Sequence, residues 1–214
     1  MDHFNTTPTI YQTKWMEKIP TYYIVWEEIW NTVNNFLLSN VTKSVIWEQL
    51  HLNFYTQYSY NKWHKTNNAC PLCKKLPKTI YHIILDCDFV NKIWKQIEPL
   101  LFSLHNVKVT EEEKAFGIVK IKSTTGIHLR NWLTYKLREQ IMSCEKTSYH
   151  SPSASSFEIF KARYNQGMAH EIKNLLYRYK NENKLNVFDE IIAYKGIICE
   201  KIQEGEYRFK ILLN

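Results

Sequence analysis

Four potential metal ligands follow one another in the sequence with the spacing Cys-x2-Cys-x8-His-x4-Cys. They are Cys70, Cys73, His82 and Cys87. A Cys-x-x-Cys turn lets two thiolates bind one ion at about 2.3 Å. We expect His82 to return to the ion after a turn and a short strand, and Cys87 to bind it at the start of the next helix. The spacing therefore predicts a loop held in place by one metal ion.

Three thiolates and one imidazole form a tetrahedral shell of the kind that binds structural zinc. No position is left for a reactive water, so the predicted ion stabilises the fold and catalyses nothing. Two alternatives stay open. Either His82 belongs to an ordinary half-buried strand, TIYHIIL, and the cysteines are simply unpaired, or Cys70 and Cys73 form a redox pair. Cys144 and Cys199 lie in helical patterns and are expected to be buried or inert.

Helical periodicity of the apolar residues dominates the rest of the chain. Apolar faces recur every three or four residues over 24–38, 43–58, 88–104, 129–143 and 157–180, and a last helix is predicted over 187–203. Capping boxes, Thr110 with Glu113 and Ser155 with Glu158, predict two helix starts. The expected fold class is mainly α, a helical domain with a small Cys3His zinc-binding module inserted between helices.

The cysteine cluster and a serine-rich linker divide the chain into four predicted segments. These are an N-terminal helical region (1–66), the zinc-binding module with the following helix (67–105), a helical region (106–150) and a C-terminal long-helix region (151–214). The linker candidate is SYHSPSASS, residues 148–156, which contains Pro152 and no charged residue.

The net charge is +7, and positive charge is densest around the cluster, because no acidic residue lies between Glu48 and Asp86. A basic surface favours RNA or DNA as a partner, and lysines contact phosphates without reading sequence. The expected contact residues near the cluster are Lys62, Lys65, Lys74, Lys75 and Lys78. Trp63, in the same stretch, either packs over the metal site or stacks on a base. A second candidate surface, on a later helix, consists of Arg130, Lys136 and Arg138.

The sequence shows no sign of export or of membrane insertion. Its start lacks a basic stretch followed by an apolar run, and no apolar stretch approaches the ~18 residues of a membrane span. The number of cysteines, 5, is odd, which argues against a disulfide framework. We expect an intracellular protein, nuclear or cytoplasmic, that is not secreted and has no membrane partner.

The segment ACPLCKKLPKTIYHIILDCDFVNKIW, residues 69–94, resembles the zinc-binding segment downstream of the reverse transcriptase domain in LINE-type, non-long-terminal-repeat retrotransposons. The positions that match are Cys70, Pro71, Cys73, His82, Cys87, Phe89 and Trp94. The resemblance covers about residues 45–95 and continues more loosely to the end of the chain. It implies a zinc ion on these cysteines and histidine, RNA or DNA as partner, and an association with the rest of a retroelement polyprotein.

The catalytic motifs of that family do not occur in the sequence. A polymerase needs paired aspartates to hold two metal ions, and neither the family's aromatic-Ala-Asp-Asp box nor the Pro-Asp dipeptide of the associated nuclease is found. We therefore expect a non-catalytic, nucleic-acid-binding C-terminal segment derived from a retrotransposon reverse transcriptase. The alternative is a helical protein-interaction adaptor, or an inert retroelement remnant, with a purely structural zinc.

Overall fold

The structure, a computed structural model, describes residues 9–20, 25–53, 69–75, 79–119, 124–150, 156–210 and 212–213. These residues are mainly helical, and the four potential metal ligands lie between helices, which confirms the predicted fold class. The helices are α1 (Ile10–Lys18), α2 (Trp26–Val33), α3 (Asn40–Leu50), α4 (Asp88–His105), α5 (Glu111–Phe116), α6 (Thr125–His150), α7 (Phe157–Asn181) and α8 (Leu185–Ile191). A π-helical turn (His82–Asp86) precedes α4, and a 3-10 turn (Tyr194–Gly196) and strands β1 (Cys199–Gln203) and β2 (Glu206–Phe209) follow α8.

Hydroxyl side chains cap the first turns of α1, α3, α5 and α7. Thr9, Ser39, Thr110 and Ser156 each accept a hydrogen bond from the backbone N–H three residues later. Such a cap satisfies a free N–H group of the first turn and stabilises a helix by about 1 kcal/mol. The helix start predicted at Thr110 is confirmed. The helix predicted to start at Ser155 is capped by Ser156 instead.

The 26-residue helix α6 forms the centre of the fold. Helices α3, α4, α7 and α8 pack against it, so helices from all four predicted segments share one core. Between Gly126 and Met142, no residue of α6 is exposed. A helix surrounded on all sides has no solvated face for its polar residues, so polar side chains of α6 are buried together with its apolar ones.

Gly126 lies where the start of α6 passes the end of α4. A Cβ atom at this position would lie 2.5 Å from the backbone oxygen of Leu104. A side chain cannot fit there unless one of the two helices moves. One turn further along α6, Arg130 donates to the backbone oxygens of Leu101, at 3.0 Å, and Val107, at 2.8 Å. The end of α4 is therefore held tightly against α6.

The helix predicted over 187–203 is wrong beyond Ile191. Helix α8 ends there, and β1 and β2 form an antiparallel hairpin. Gly205 lies in the turn with a φ of 74°, a left-handed conformation that glycine adopts without steric cost. Tyr207 of β2 packs on Phe188 of α8, with ring centroids 4.7 Å apart, and donates a hydrogen bond to Asp189 at 2.6 Å. These contacts with α8 favour the hairpin over a continuation of the helix.

Candidate metal centre

A tight turn brings the thiols of Cys70 and Cys73 to the same side of the chain. The Lys74 N–H donates to the Cys70 carbonyl at 2.8 Å, and the Cys70 N–H donates to the Lys75 carbonyl at 3.0 Å. Lys74 closes the turn in a left-handed conformation, with a φ of 62°. Because residues 70–75, the cysteine turn, close on themselves in this way, two cysteines three positions apart can present their sulfurs to one point.

The π-helical turn places His82 and Cys87 next to each other. Its hydrogen bond runs from the Cys87 N–H to the His82 carbonyl over 2.7 Å and so joins residues five positions apart. Residues joined in this way lie one above the other on one side of the turn, whereas α-helical geometry would rotate them apart. The short strand predicted before the histidine is therefore wrong, because Ile80–Asp86 is helical.

The donor atoms of Cys70, Cys73, His82 and Cys87 all lie within 4.8 Å of one another. The distance between the sulfurs of Cys70 and Cys87 is 3.9 Å, and that between Cys73 Sγ and His82 Nε2 is 3.3 Å. Two sulfurs bound to one tetrahedral ion would lie about 3.8 Å apart. The four side chains are therefore close enough to hold one metal ion. A redox pair would not require the other two donors to converge.

Backbone N–H groups point at all three sulfurs. The donors are Leu72 and Cys73 for the Cys70 sulfur, Lys75 for the Cys73 sulfur, and Val90 for the Cys87 sulfur. Hydrogen bonds of this kind favour the thiolate over the thiol and orient a sulfur toward a metal. Cys70 and Cys87 are fully buried and Cys73 is half-buried, so an ion bound here would be largely shielded from water.

The three thiols differ in their affinity for a proton. A hydrogen bond with Cys87 lowers the pKa of the Cys70 thiol to about 4, and the same contact raises the pKa of Cys87. Burial raises the pKa of the Cys73 thiol. Three thiolates cannot be buried side by side without a counter-charge, so the protein alone favours one thiolate beside two thiols. A divalent cation would supply that charge, and the donor set therefore fits a thiophilic metal ion.

Side chains around the cluster attach it to two helices. Trp15 of α1 packs edge-on against Tyr81, with ring centroids 4.7 Å apart, and Lys18 forms an ion pair with Asp86 at 3.0 Å. Cys87 is the N-cap residue of α4, so the prediction that it lies at the start of this helix is confirmed. An ion bound here would connect the cysteine turn to both α1 and α4.

The predicted nucleic-acid contacts near the cluster are only partly within the described residues. Lys62, Trp63, Lys65 and Lys78 lie outside them. Lys74 and Lys75 are exposed on the cysteine turn, and Lys75 forms an ion pair with Asp88 at 2.5 Å. Two of the predicted lysines therefore lie on the surface directly beside the potential metal ligands.

Arg130, Lys136 and Arg138 do not form the second basic surface that the sequence predicts. The Arg130 guanidinium is fully buried, and its Nε and Nη2 atoms each donate to a carboxylate oxygen of Glu113 at 2.6 Å. The Lys136 side chain is 11% exposed and forms ion pairs with Glu139 and with a glutamate of α7, each at 2.8 Å. Both cations are thus neutralised inside the protein.

Arg138 is also buried, between α3 and α5. Its Nε atom donates to the Gln49 side chain at 2.8 Å, and its Nη1 atom donates to the Ala115 carbonyl at 2.5 Å. Burial lowers the pKa of Arg138 to about 10. The guanidinium joins three helices and cannot reach a phosphate, because its side chain has no exposed surface to offer.

A cleft beside the metal cluster contains basic residues that the sequence pattern did not single out. Its volume is about 540 Å³, and it is lined by Asp88, Asn91, Lys92, Trp94, Lys95, Glu98, Val109 and Lys114. Lys92 and Lys95 follow Asp88 at helical spacing, which could have placed all three on one face of α4. Lys114 comes from α5, and only the tertiary structure brings it to the same cleft.

No protein-family model, curated protein or solved structure matches the chain. Among the described helices, none combines the length and the apolar character needed to pass through a lipid bilayer. Inferences about function therefore rest on the four potential metal ligands and on the surface around them.

Proposed function

We propose that Cys70, Cys73, His82 and Cys87 bind one structural zinc ion. Thiolates are soft ligands and favour zinc over calcium or magnesium. Three thiolates and an imidazole complete a tetrahedral shell, so no coordination position is left for water or substrate. The ion supplies folding free energy by joining the cysteine turn to the π-helical turn. The convergence of four donor atoms within 4.8 Å carries this proposal.

In this proposal the zinc-stabilised chain binds nucleic acid. The net charge of +7 and the exposed Lys74 and Lys75 beside the metal ligands support a polyanion as the partner. The zinc would hold these lysines at fixed positions, where they contact phosphates without reading the base sequence. RNA and DNA both present such phosphates.

The resemblance of residues 69–94 to the zinc-binding segment of LINE-type retrotransposons supports the same function. By this resemblance, the chain is a non-catalytic C-terminal segment derived from a retrotransposon reverse transcriptase. Its role would be to hold RNA or DNA for a catalytic domain whose motifs this sequence lacks.

Two measurements test the proposed function. Metal analysis of the purified protein by mass spectrometry should give one zinc ion per chain, and Cys73→Ser should lose it. Binding to single-stranded RNA and to duplex DNA is then measured at about 50 and 200 mM salt. Since phosphate contacts release counterions, the affinity should fall at least about tenfold between these conditions. A zinc-loaded protein that binds neither nucleic acid at the lower salt would overturn the proposed function.

A second candidate is a helical protein-interaction adaptor whose zinc is purely structural. Exposed apolar side chains favour it, because Trp47 is 48% exposed and Phe36 and Val41 are exposed in the same stretch of chain. The Trp47 ring stacks on His51, with centroids 4.0 Å apart, and is therefore held in place. Rigid aromatic groups of this kind are typical anchors for protein partners. Zinc retention without nucleic-acid binding at low salt would favour this candidate.

A further inference from the structure

The cleft beside the metal cluster gathers three lysines that form no ion pair with the described residues. Lys92 and Lys95 are exposed on α4, and Lys114 extends into the cleft from α5. The cleft also contains two carboxylates. One of them, that of Asp88, is already paired with Lys75 at 2.5 Å. Glu98 is the other, and Glu111 outside the lining also acts on Lys114. The three lysines still outnumber these two carboxylates, so the cleft has a net positive charge.

Lys114 is the most enclosed of the three lysines. Its ammonium group lies 5.9 Å from the centre of the Trp94 ring and 3.4 Å from Asn91 Oδ1. Burial lowers the pKa of Lys114, because its charged form is partly removed from water. The Trp94 indole N–H is buried and has no hydrogen-bond partner within the described chain. An anion in the cleft would compensate the partly desolvated ammonium group.

The shape and position of the cleft fit a phosphate group. The first turn of α4 lines it through Asp88 and Asn91, and the helix dipole places partial positive charge at that end of the helix. The volume of about 540 Å³ lies in the range of small-ligand pockets and leaves room for a phosphate and the sugar attached to it.

We propose that this cleft binds a phosphate group of a nucleic-acid backbone through Lys92, Lys95 and Lys114. The proposal rests on the proposed function and extends it, because the backbone would run from the cysteine turn past Asp88 into the cleft. Such contacts position a strand without specifying its sequence. They also make the affinity depend on salt concentration.

The double variant Lys92→Gln/Lys95→Gln tests the cleft through two exposed side chains whose loss leaves the core intact. The matched control is Lys173→Gln/Lys180→Gln, which removes the same charge from exposed positions of α7. Helix α7 approaches the start of α4 at Phe160, whose ring centroid lies 6.1 Å from that of Phe89. Lys180 follows Phe160 by twenty positions and therefore lies about 30 Å further along the helix.

Affinity for a single-stranded RNA oligonucleotide is measured by fluorescence anisotropy over a series of salt concentrations. The cleft variant should bind about tenfold more weakly at about 50 mM salt. The slope of log affinity against log salt concentration should be less steep by about 1.4. Each contact with a single-strand phosphate contributes about 0.7 to this slope, and the variant removes two contacts. The control should change the affinity less than about twofold, because Lys173 and Lys180 lie about 20 and 30 Å along α7 from Phe160, beyond the screening length of roughly 14 Å at this salt concentration.

Glu98→Gln should change the affinity in the opposite direction. Glu98 lines the same cleft and repels a phosphate, so its neutralisation should strengthen RNA binding about threefold. A variant that is merely misfolded would bind more weakly, so tighter binding separates an electrostatic effect from a structural one. Unchanged affinity in Glu98→Gln would count against the cleft.

Acetylation of Lys114, followed by mass spectrometry, identifies the source of the phosphate. RNA should protect this lysine, whereas inorganic phosphate at the same ionic strength should protect it several-fold less. Equal protection by inorganic phosphate would assign the cleft to free phosphate and overturn its assignment to a nucleic-acid backbone.

The outcomes separate this proposal from the proposed function. If the wild-type protein binds RNA, and the cleft variant retains the affinity and salt dependence of the control, the cleft assignment is overturned and the proposed function stands. If the wild-type protein binds neither RNA nor DNA at about 50 mM salt, the proposed function is overturned and the cleft assignment falls with it.

Discussion

The metal cluster and the buried ion pair of Arg130 with Glu113 both hold ionisable side chains away from water, but their counter-charges have different origins. In the ion pair, two contacts of 2.6 Å join opposite charges that both belong to the chain. In the cluster, three thiols and an imidazole provide donors for a cation. The positive charge that would neutralise three thiolates must come from a bound ion.

This difference predicts that the two regions respond differently to loss of metal. The helices around α6 share one apolar core and are joined by hydrogen bonds within the chain. The cysteine turn contributes only Cys70 and Leu72 to that buried core, and it is otherwise held by one pair of backbone hydrogen bonds and by the exposed ion pair of Lys75 with Asp88. Chelation should therefore release the cysteine turn first and leave the packing around α6 largely in place.

The largest effect is expected from Cys73→Ser, which removes one metal ligand. A structural zinc contributes roughly 10 kcal/mol of apparent binding free energy, so the variant should lose its zinc and the order of the cysteine turn. Hydrogen exchange should show faster amide exchange at residues 70–90 than around α6. Cys144→Ser, at a buried cysteine outside the cluster, is the control and should keep its zinc. An unchanged melting temperature in Cys73→Ser would contradict the metal assignment.

The next largest effect is expected from Glu113→Gln, which breaks the buried ion pair with Arg130. It leaves the Arg130 guanidinium buried without its carboxylate, which costs about 3–5 kcal/mol in the free energy of unfolding. Urea denaturation measures this loss, and the zinc content should stay at the wild-type value.

A double variant, Arg130→Met with Glu113→Leu, is the matched control for the ion pair. It removes both charges, so it should recover part of the stability that Glu113→Gln loses, although the Leu101 and Val107 carbonyls also lose the hydrogen bonds from Arg130. A double variant that is less stable than Glu113→Gln would contradict this explanation. The loss in the single variant could then not be attributed to an unpaired buried charge.

A smaller effect is expected at Gly126, where α6 meets α4. Gly126→Ala should destabilise the protein by about 1–3 kcal/mol, because its Cβ atom would lie 2.5 Å from a backbone oxygen. Gly167→Ala in α7 is the matched substitution, since a Cβ atom there would have no neighbour within 4 Å. It should stabilise the protein by about 0.5–1 kcal/mol. Equal effects of the two substitutions in urea denaturation would disprove the close packing at α6.

The smallest effect is expected from the buried hydroxyl of Tyr135, which should make the stability of the protein decrease in alkaline solution. Burial raises the pKa of Tyr135 to about 12 from an ordinary value of 10.0, and its hydroxyl donates to the Phe116 carbonyl at 2.6 Å. Since the folded state holds the proton more tightly, this stabilisation is complete below pH 10 and is lost as the pH rises through 12.

Tyr135→Phe isolates that contribution from other groups that titrate in the same range. The wild-type protein should be more stable than the variant by about 1 kcal/mol at pH 9, because of the hydrogen bond to Phe116. Between pH 9 and pH 11 this advantage should fall by about 1 kcal/mol. A stability difference that stays constant with pH would show that the Tyr135 hydroxyl is not protected from ionisation by burial.

The convergence of the four potential metal ligands was predictable because they are close together in the sequence and their chemistry is specific. Cysteine sulfurs and a histidine at this spacing need only local turns to converge. The form of the second turn was not predictable. Thr79, Ile80, Ile83 and Ile84 favour a strand by propensity, yet the segment is helical and includes a π-turn. The segment is attached to other helices near its start, where Tyr81 packs on Trp15 of α1, and at its end, where Asp86 pairs with Lys18 of α1 and Cys87 caps α4. We infer that these attachments outweigh the propensity.

The buried cations show the opposite case. Arg130 and Arg138 occur in an amphipathic pattern, and their charge predicts exposure. Each is buried because another helix packs against α6 and supplies a partner for the guanidinium, Glu113 from α5 and Gln49 from α3. The cleft follows the same rule, since Lys114 meets Lys92 and Lys95 only after α5 has packed beside α4.

By itself, the sequence determined the helical class, the start of α5 at Thr110 and the four residues that converge as potential metal ligands. Each depends on apolar periodicity, on a local cap or on ligand spacing, which act over short distances along the chain. The tertiary structure decided the π-turn, the C-terminal hairpin, the burial of the arginines and the composition of the cleft. These depend on contacts between separate elements that meet only when the chain packs, and the free energy of such contacts exceeds that of local preference.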